Sequence, residues 1–225
     1  MVRRTTLLSL AALALVAIGA IGFGVANIAP LDVLAIIGKS LFGLPVGSDI
    51  SAGATSIVME IRLPRILAAI AVGAALATSG AAFQSLLRNP LADPYVLGTS
   101  SGAALGAAIA ILLPIGGVAW ELGGVQLAAF IGALASVGLV WRVAGIGSGE
   151  ERIASVLLVG YAVASLLAAA LSLVMLASGA NLRAIFGFLL GGLDGVTWPR
   201  LAAAAVPIAL ATFLLARRGR ALAAF

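Results

Sequence analysis

Six stretches of this chain, near residues 7–28, 66–87, 95–115, 125–141, 153–177 and 201–216, contain no Asp, Glu, Lys, Arg or His. A helix needs about 20 apolar residues to cross the hydrocarbon of a bilayer. In lipid it also satisfies its backbone N–H and C=O groups within its own segment. Composition agrees: 63% of the 225 residues are hydrophobic and 9% charged, against roughly half and a quarter in a soluble domain. So few charged side chains cannot cover a water-facing surface. With a mean hydropathy of +1.23, the expected fold is all-α and polytopic, a membrane protein of about six transmembrane helices plus short interfacial or re-entrant helices.

The chain has no Cys and no His, which removes disulfides, thiolate chemistry and ordinary zinc or haem ligation. No tightly bound cofactor and no metal site are expected. The net charge of +5 does not point to nucleic acid. The basic residues sit at the ends of apolar runs, as flanks of membrane spans do, and only Arg217, Arg218 and Arg220 cluster.

Between the spans, several segments are shorter or more polar. The first stretch, Leu7 to Ile28, follows Arg3 and Arg4. It exceeds the 7–15 residues usual for a signal-peptide core and is read as a retained span. Leu31 to Pro45 places Leu34, Ile37, Leu41 and Phe42 at helical spacing, with Asp32 and Lys39 between. An amphipathic helix at the membrane surface is expected there. Gly47 to Ser56 reads as a loop, and Pro64 as the residue just ahead of the second span. Loops are also expected around Gly116, Gly117, Glu121, Gly123 and Gly124, and across Gly145, Gly147 and Gly149. Asn181 to Thr197 has an apolar core of Ala184 to Leu193, short for a span, so it is expected to be re-entrant or interfacial.

Lys and Arg near the span ends set orientation. With the N-terminus in the cytoplasm, Arg3, Arg4, Arg88, Arg142, Arg152, Arg217, Arg218 and Arg220 lie inside. Lys39, Arg62, Arg65, Arg183 and Arg200 lie outside. The balance favours that orientation, and Arg62 with Arg65 run against it.

Coupled carriers usually place ionisable groups or ion-binding broken helices near the midplane, and these spans carry no Asp, Glu, Lys, Arg or His. No G-x-x-x-x-G-K-[ST] phosphate loop occurs either. Energy for any transport therefore has to come from another polypeptide. Gly98, Gly102 and Gly106 recur every four residues, as do Gly187, Gly191 and Gly195. Small faces let helices approach closely, and the other use of such a face is to line a conduit. Thr78, Ser79, Gln84, Ser100 and Ser101 are mild polar groups in the same region, expected to bond within or between helices.

Two segments carry a family resemblance. Ile61-Arg62-Leu63-Pro64-Arg65 leads into VGAALATSGAAFQSLLRNPLADPYVLGTSSGAALG (Val72 to Gly106). Its R-x-P-R opening, G-A-x-L-A-x-S-G run, N-P-L-A-[DE]-P turn and L-G-x-S-x-G-A continuation resemble the FecCD-type permeases of ABC importers for iron–siderophores, haem or cobalamin. VLLVGYAVASLLAAALSLVM (Val156 to Met175) and LRAIFGFLLGGLDGVTW (Leu182 to Trp198) are similar to that family's fifth span and following outer helix.

The resemblance implies an inner-membrane, multi-pass permease subunit with a cytoplasmic N-terminus, which is not an enzyme. Its implied partners are a second permease subunit, identical or paired, a cytoplasmic ATPase, a periplasmic or extracellular substrate-binding protein, and membrane lipid. It implies that Arg62 and Arg65 dock acidic residues of the binding protein, against the alternative of anchoring to lipid headgroups. It also implies that the turn holding Asn89, Pro90, Leu91 and Asp93 contributes to a cytoplasmic gate, against a rigid connector. A second gate element maps loosely onto Arg152 to Ser155. Gly98, Ser100, Gly102 and Gly106 become the helix-packing or conduit face.

Iron–siderophore leads among the cargoes as the commonest in the family. Family permeases have about ten spans, so residues 1–225 are expected to be the N-terminal part of one permease domain, truncated before the segment that seats in the ATPase. The competing expectations are a non-transporting membrane fragment and an ion-coupled carrier.

Overall fold

The computed structural model describes residues 2–24, 26–43, 50–113, 123–145 and 150–218. The expected loop residues Gly116, Gly117, Glu121, Gly147 and Gly149, the cation Arg220 and the end of the chain at Phe225 lie outside them, as does the side chain of Arg152. All regular elements among these residues are helical. The chain divides into two compact units, Met1–Gly73 with Leu193–Ala205, and Ala74–Gly192 with Val206–Phe225.

In the first unit, α1 spans Val2–Gly22. It starts before the expected span and stops six residues short of its end. The residues after it include Gly24 and Asn27, poor helix formers, and Pro30 opens the next helix. That helix, α2, is Pro30–Phe42, with Pro30 in its first turn, where a missing N–H costs nothing. Gly43 closes it at φ 66°. Val33 and Ile36 join Ile21, Ile28, Val58 and Leu63 in one buried cluster with Ile37 packed against it, whereas Leu34, Leu41 and Phe42 of the expected apolar face stay exposed.

The segment read as a loop is partly helical. Short α3, Ala52–Ser56, begins where Ser51 Oγ accepts the Ala54 N–H at 3.1 Å. This N-cap satisfies a donor the first turn leaves orphaned. From α3 the chain runs without a break through a π-helical stretch, Ile57–Arg62, into α4, Leu63–Leu87. Pro64 therefore lies inside a continuous helical run rather than ahead of one. A proline ring clashes with the carbonyl four residues back, here that of Glu60. Widening the preceding turn relieves that conflict, and the Leu63 N–H bonds Val58 O in the π pattern.

The second unit is built on α5, Thr99–Leu112, α6, Gly124–Ala144, and α7, Glu150–Ala177, with α5 packed against both of the others. A 3-10 turn, Pro94–Leu97, precedes α5. A second, Gly179–Asn181, leads into α8, Leu182–Leu189. The last helix, α9, is Trp198–Arg217.

Among the described residues, five helices are long and apolar enough to cross a membrane. The third expected span differs: α5 has 14 residues, about 21 Å at 1.5 Å per residue. Gly98 at φ 70° ends the 3-10 turn and starts the helix anew, so Tyr95 to Leu97 are not part of it. The eight residues of α8 are too short to cross, as expected for a re-entrant or interfacial segment. Gly191, at φ 69°, lies beyond its end, so Gly187, Gly191 and Gly195 share no helical face.

Candidate functional site

The R-x-P-R segment sits at the π-to-α junction of the first unit. Arg62 does not point freely outward. Its Nη1 donates to Ile21 O and Gly22 O, and its Nη2 to Ala26 O. Ile21 and Gly22 carry carbonyls that a helix leaves unbonded at its C-terminus, where the helix dipole also favours a cation, and Ala26 lies in the connector that follows. One planar fork thus closes α1 and ties it to the π turn.

Arg65, one turn later, pairs with Asp194 through Nη2 and Oδ1 at 2.8 Å. Its side chain is 42% exposed and that of Asp194 is 87% exposed. The Nε of Arg65 is buried and has no hydrogen-bond partner among the described residues. Asp194 stands in a short turn ahead of α9. Arg200 Nη1 fixes that turn by donating to Gly195 O at 2.6 Å. The indole N–H of Trp198 donates to Met59 O in the π stretch at 2.9 Å. Beside the arginines lies a cleft of about 480 Å³ lined by Phe23, Ile57, Ile61, Ile66, Arg62 and Arg65, among others. Apolar walls with guanidinium groups along one side suit a partner that presents a carboxylate.

The turn between α4 and α5 is held by its own backbone and short side chains. Arg88 takes φ 48°, with its N–H on Ser85 O and the Asn89 N–H on Gln84 O, the bonding of a Schellman close. Asn89 Oδ1 accepts the Leu91 N–H at 2.9 Å, and Asp93 Oδ1 accepts the Tyr95 N–H at 2.9 Å. Pro90 sits between the two side-chain caps. Asn89, Pro90, Leu91 and Asp93 are all exposed, and Leu91 projects at 88% exposure.

The glycine face packs helices. A Cβ on Gly102 would stand 2.5 Å from Gly132 O, and one on Gly106 would strike Ala128 O. These are backbone atoms that cannot swing aside, so α5 and α6 approach closely at these residues. Gly98 is buried against Ala164 and Ser136, and Ser136 Oγ donates to Leu97 O at 3.0 Å. Ser100 is exposed. Thr78 and Ser79 bond carbonyls of their own helix. Sequence reasoning passed over Asp194, Ser136 and Trp198. The Asp194-Gly195 dipeptide is a turn signal, but its partner 129 residues upstream in the chain is not readable from spacing.

Long apolar helices, uncharged through most of their length, define a multi-span α-helical membrane protein. The FecCD transport family matches residues 10–225, and the chain belongs to that family. It is 43% identical over 163 residues to a cobalamin import system permease protein, BtuC, of Halobacterium salinarum, covering 72% of this chain and 43% of that protein. It is 39% identical over 186 residues to the ABC transporter permease protein YvrB of Bacillus subtilis, covering 80% and 51%. A solved chain of an ABC transporter assigned to the metal-chelate type, in an inward-facing conformation, overlays 98% of this chain and 64% of its own at TM-score 0.77 and 26% identity. The chain thus spans about half the length of the curated relatives it matches.

Proposed function

We propose that this chain forms part of the permease subunit of an ATP-driven importer that moves a metal chelate across the inner membrane. The observation that carries this is the family match over residues 10–225. The lack of Asp, Glu, Lys, Arg and His in the uncharged stretches supports it, because work on the cargo then has to come from a separate ATPase. Iron–siderophore and cobalamin are both metal chelates. The relatives named for cobalamin and vitamin B12 favour the corrinoid.

A second permease subunit, a cytoplasmic ATPase and a soluble substrate-binding protein complete the proposed machine. In it, Arg65, with Arg62 behind it, offers positive charge to acidic residues of the binding protein. Such pairs steer encounter and fix register more than they add affinity. The turn of Asn89, Pro90, Leu91 and Asp93 serves as a cytoplasmic gate element, and its self-capped geometry lets it move as one piece.

Cells lacking their own permease, supplied with a permease subunit that contains this chain and with the ATPase and binding protein of a chelate importer, test the proposal. ATP-dependent uptake of labelled cyanocobalamin above that of ferric siderophore is the expected result. Uptake of neither would reject the importer assignment, and uptake of the siderophore alone would reject the corrinoid.

A further inference from the structure

We propose that Asp194 is an internal competitor for Arg65, holding the guanidinium that the docking proposal offers to a partner's carboxylate. This rests on that proposal and adds a control to it. Three features support it. Arg62 is committed to three carbonyls, two at the end of α1 and one in the connector after it, which leaves Arg65 as the arginine of the R-x-P-R segment able to exchange partners.

Next, the carboxylate on Arg65 is delivered rather than incidental. Arg200 pins the turn that carries Asp194, and Trp198 ties the start of α9 to Met59, six residues before Arg65. Asp194 is therefore held near its partner at little ordering cost, unlike two long side chains meeting on an open surface. Finally, the pair is built to open. It rests on one N–O contact, and the Asp194 carboxylate is almost fully exposed. An incoming carboxylate that engages the guanidinium through both oxygens makes the stronger charge-assisted bond.

A contact that closes the site lowers apparent affinity by the fraction of time it is closed. For an exposed pair of this kind that corresponds to about two- to fivefold. The device thus weakens every carboxylate partner by the same factor, and only a well-matched partner keeps useful affinity after that loss.

The test uses the full chain in phosphatidylcholine nanodiscs at low ionic strength, with a fluorescent Glu-rich peptide as the acidic probe. Asp194→Asn is expected to tighten peptide binding about two- to fivefold. With Arg65→Gln also present, Asp194→Asn is expected to change nothing. If Arg65→Gln weakens binding while Asp194→Asn has no effect, the competitor is overturned and docking stands. Binding indifferent to Arg65→Gln, or no binding to any form, overturns docking itself.

Discussion

At the scale of single residues, two arginines carry backbone problems that sequence alone disguises as surface charge. Arg62 reads as a free cation against the positive-inside trend, yet its fork closes α1. A lysine keeps the charge but cannot span three carbonyls with a planar fork. Arg62→Lys is expected to lower stability by about 1.5–3 kcal/mol, the order of a charged hydrogen bond lost, read as thermal unfolding in detergent. An unchanged midpoint would show that α1 closes without the fork. Arg88 holds φ 48°, where a Cβ costs about 1–2 kcal/mol and glycine is the usual occupant. Arg88→Gly is expected to raise the unfolding temperature and Arg88→Val to lower it. A loss in both would mean the Arg88 side chain matters more than its backbone.

At the scale of elements, the same substitution is expected to act with opposite sign on one helix pair. Gly102 lies with its Cα against the Gly132 carbonyl, whereas a Cβ on Gly138 meets nothing within 4 Å. Gly102→Ala forces α5 and α6 apart and is expected to cost about 1–3 kcal/mol, the range for overpacking. Gly138→Ala is expected to gain up to about 1 kcal/mol from helix propensity. Equal losses in detergent melts would show that Gly138 also faces something close.

This contrast marks the limit of legibility. The four-residue spacing of Gly98, Gly102 and Gly106 is visible in sequence, but its helical partner at Gly132 and Ala128 is not. The membrane helices were legible because hydrophobic length survives any packing. The helix at Ala52–Ser56 was not, because Gly53 and Ser56 suggest a loop until Ser51 is recognised as a cap. The shortness of α5 was hidden because Tyr95 to Leu97 are as apolar as the helix they precede. In the site, the self-capping of Asn89 and Asp93 is local and could be read from Pro90 and Pro94. The Arg65–Asp194 pair is long-range and could not.

At the scale of the whole molecule, helix length and charge together make the proposed orientation testable. The run from Ala52 to Leu87 is 36 residues, about 54 Å at 1.5 Å per residue, well over the ~30 Å hydrocarbon core. Its uncharged part from Ile66 to Leu87, about 22 residues or roughly 33 Å, matches the core alone. The preceding part with Glu60, Arg62 and Arg65 then stands in the headgroups or water on one side, with Arg88 on the other. With the N-terminus in the cytoplasm, the orientation that the balance of Lys and Arg favours, Arg88 is expected on the inner side.

The chain contains no cysteine, so single introduced thiols report sidedness without background. In intact cells treated with a membrane-impermeant maleimide, Lys39→Cys and Asp194→Cys are expected to label. Asn89→Cys, on an equally exposed side chain, is expected to label only after the membrane is permeabilised. The reverse pattern would put the Arg65–Asp194 pair inside the cell and exclude it from docking any extracytoplasmic protein. Labelling of all three from outside would mean that the uncharged part of α4 does not cross the membrane.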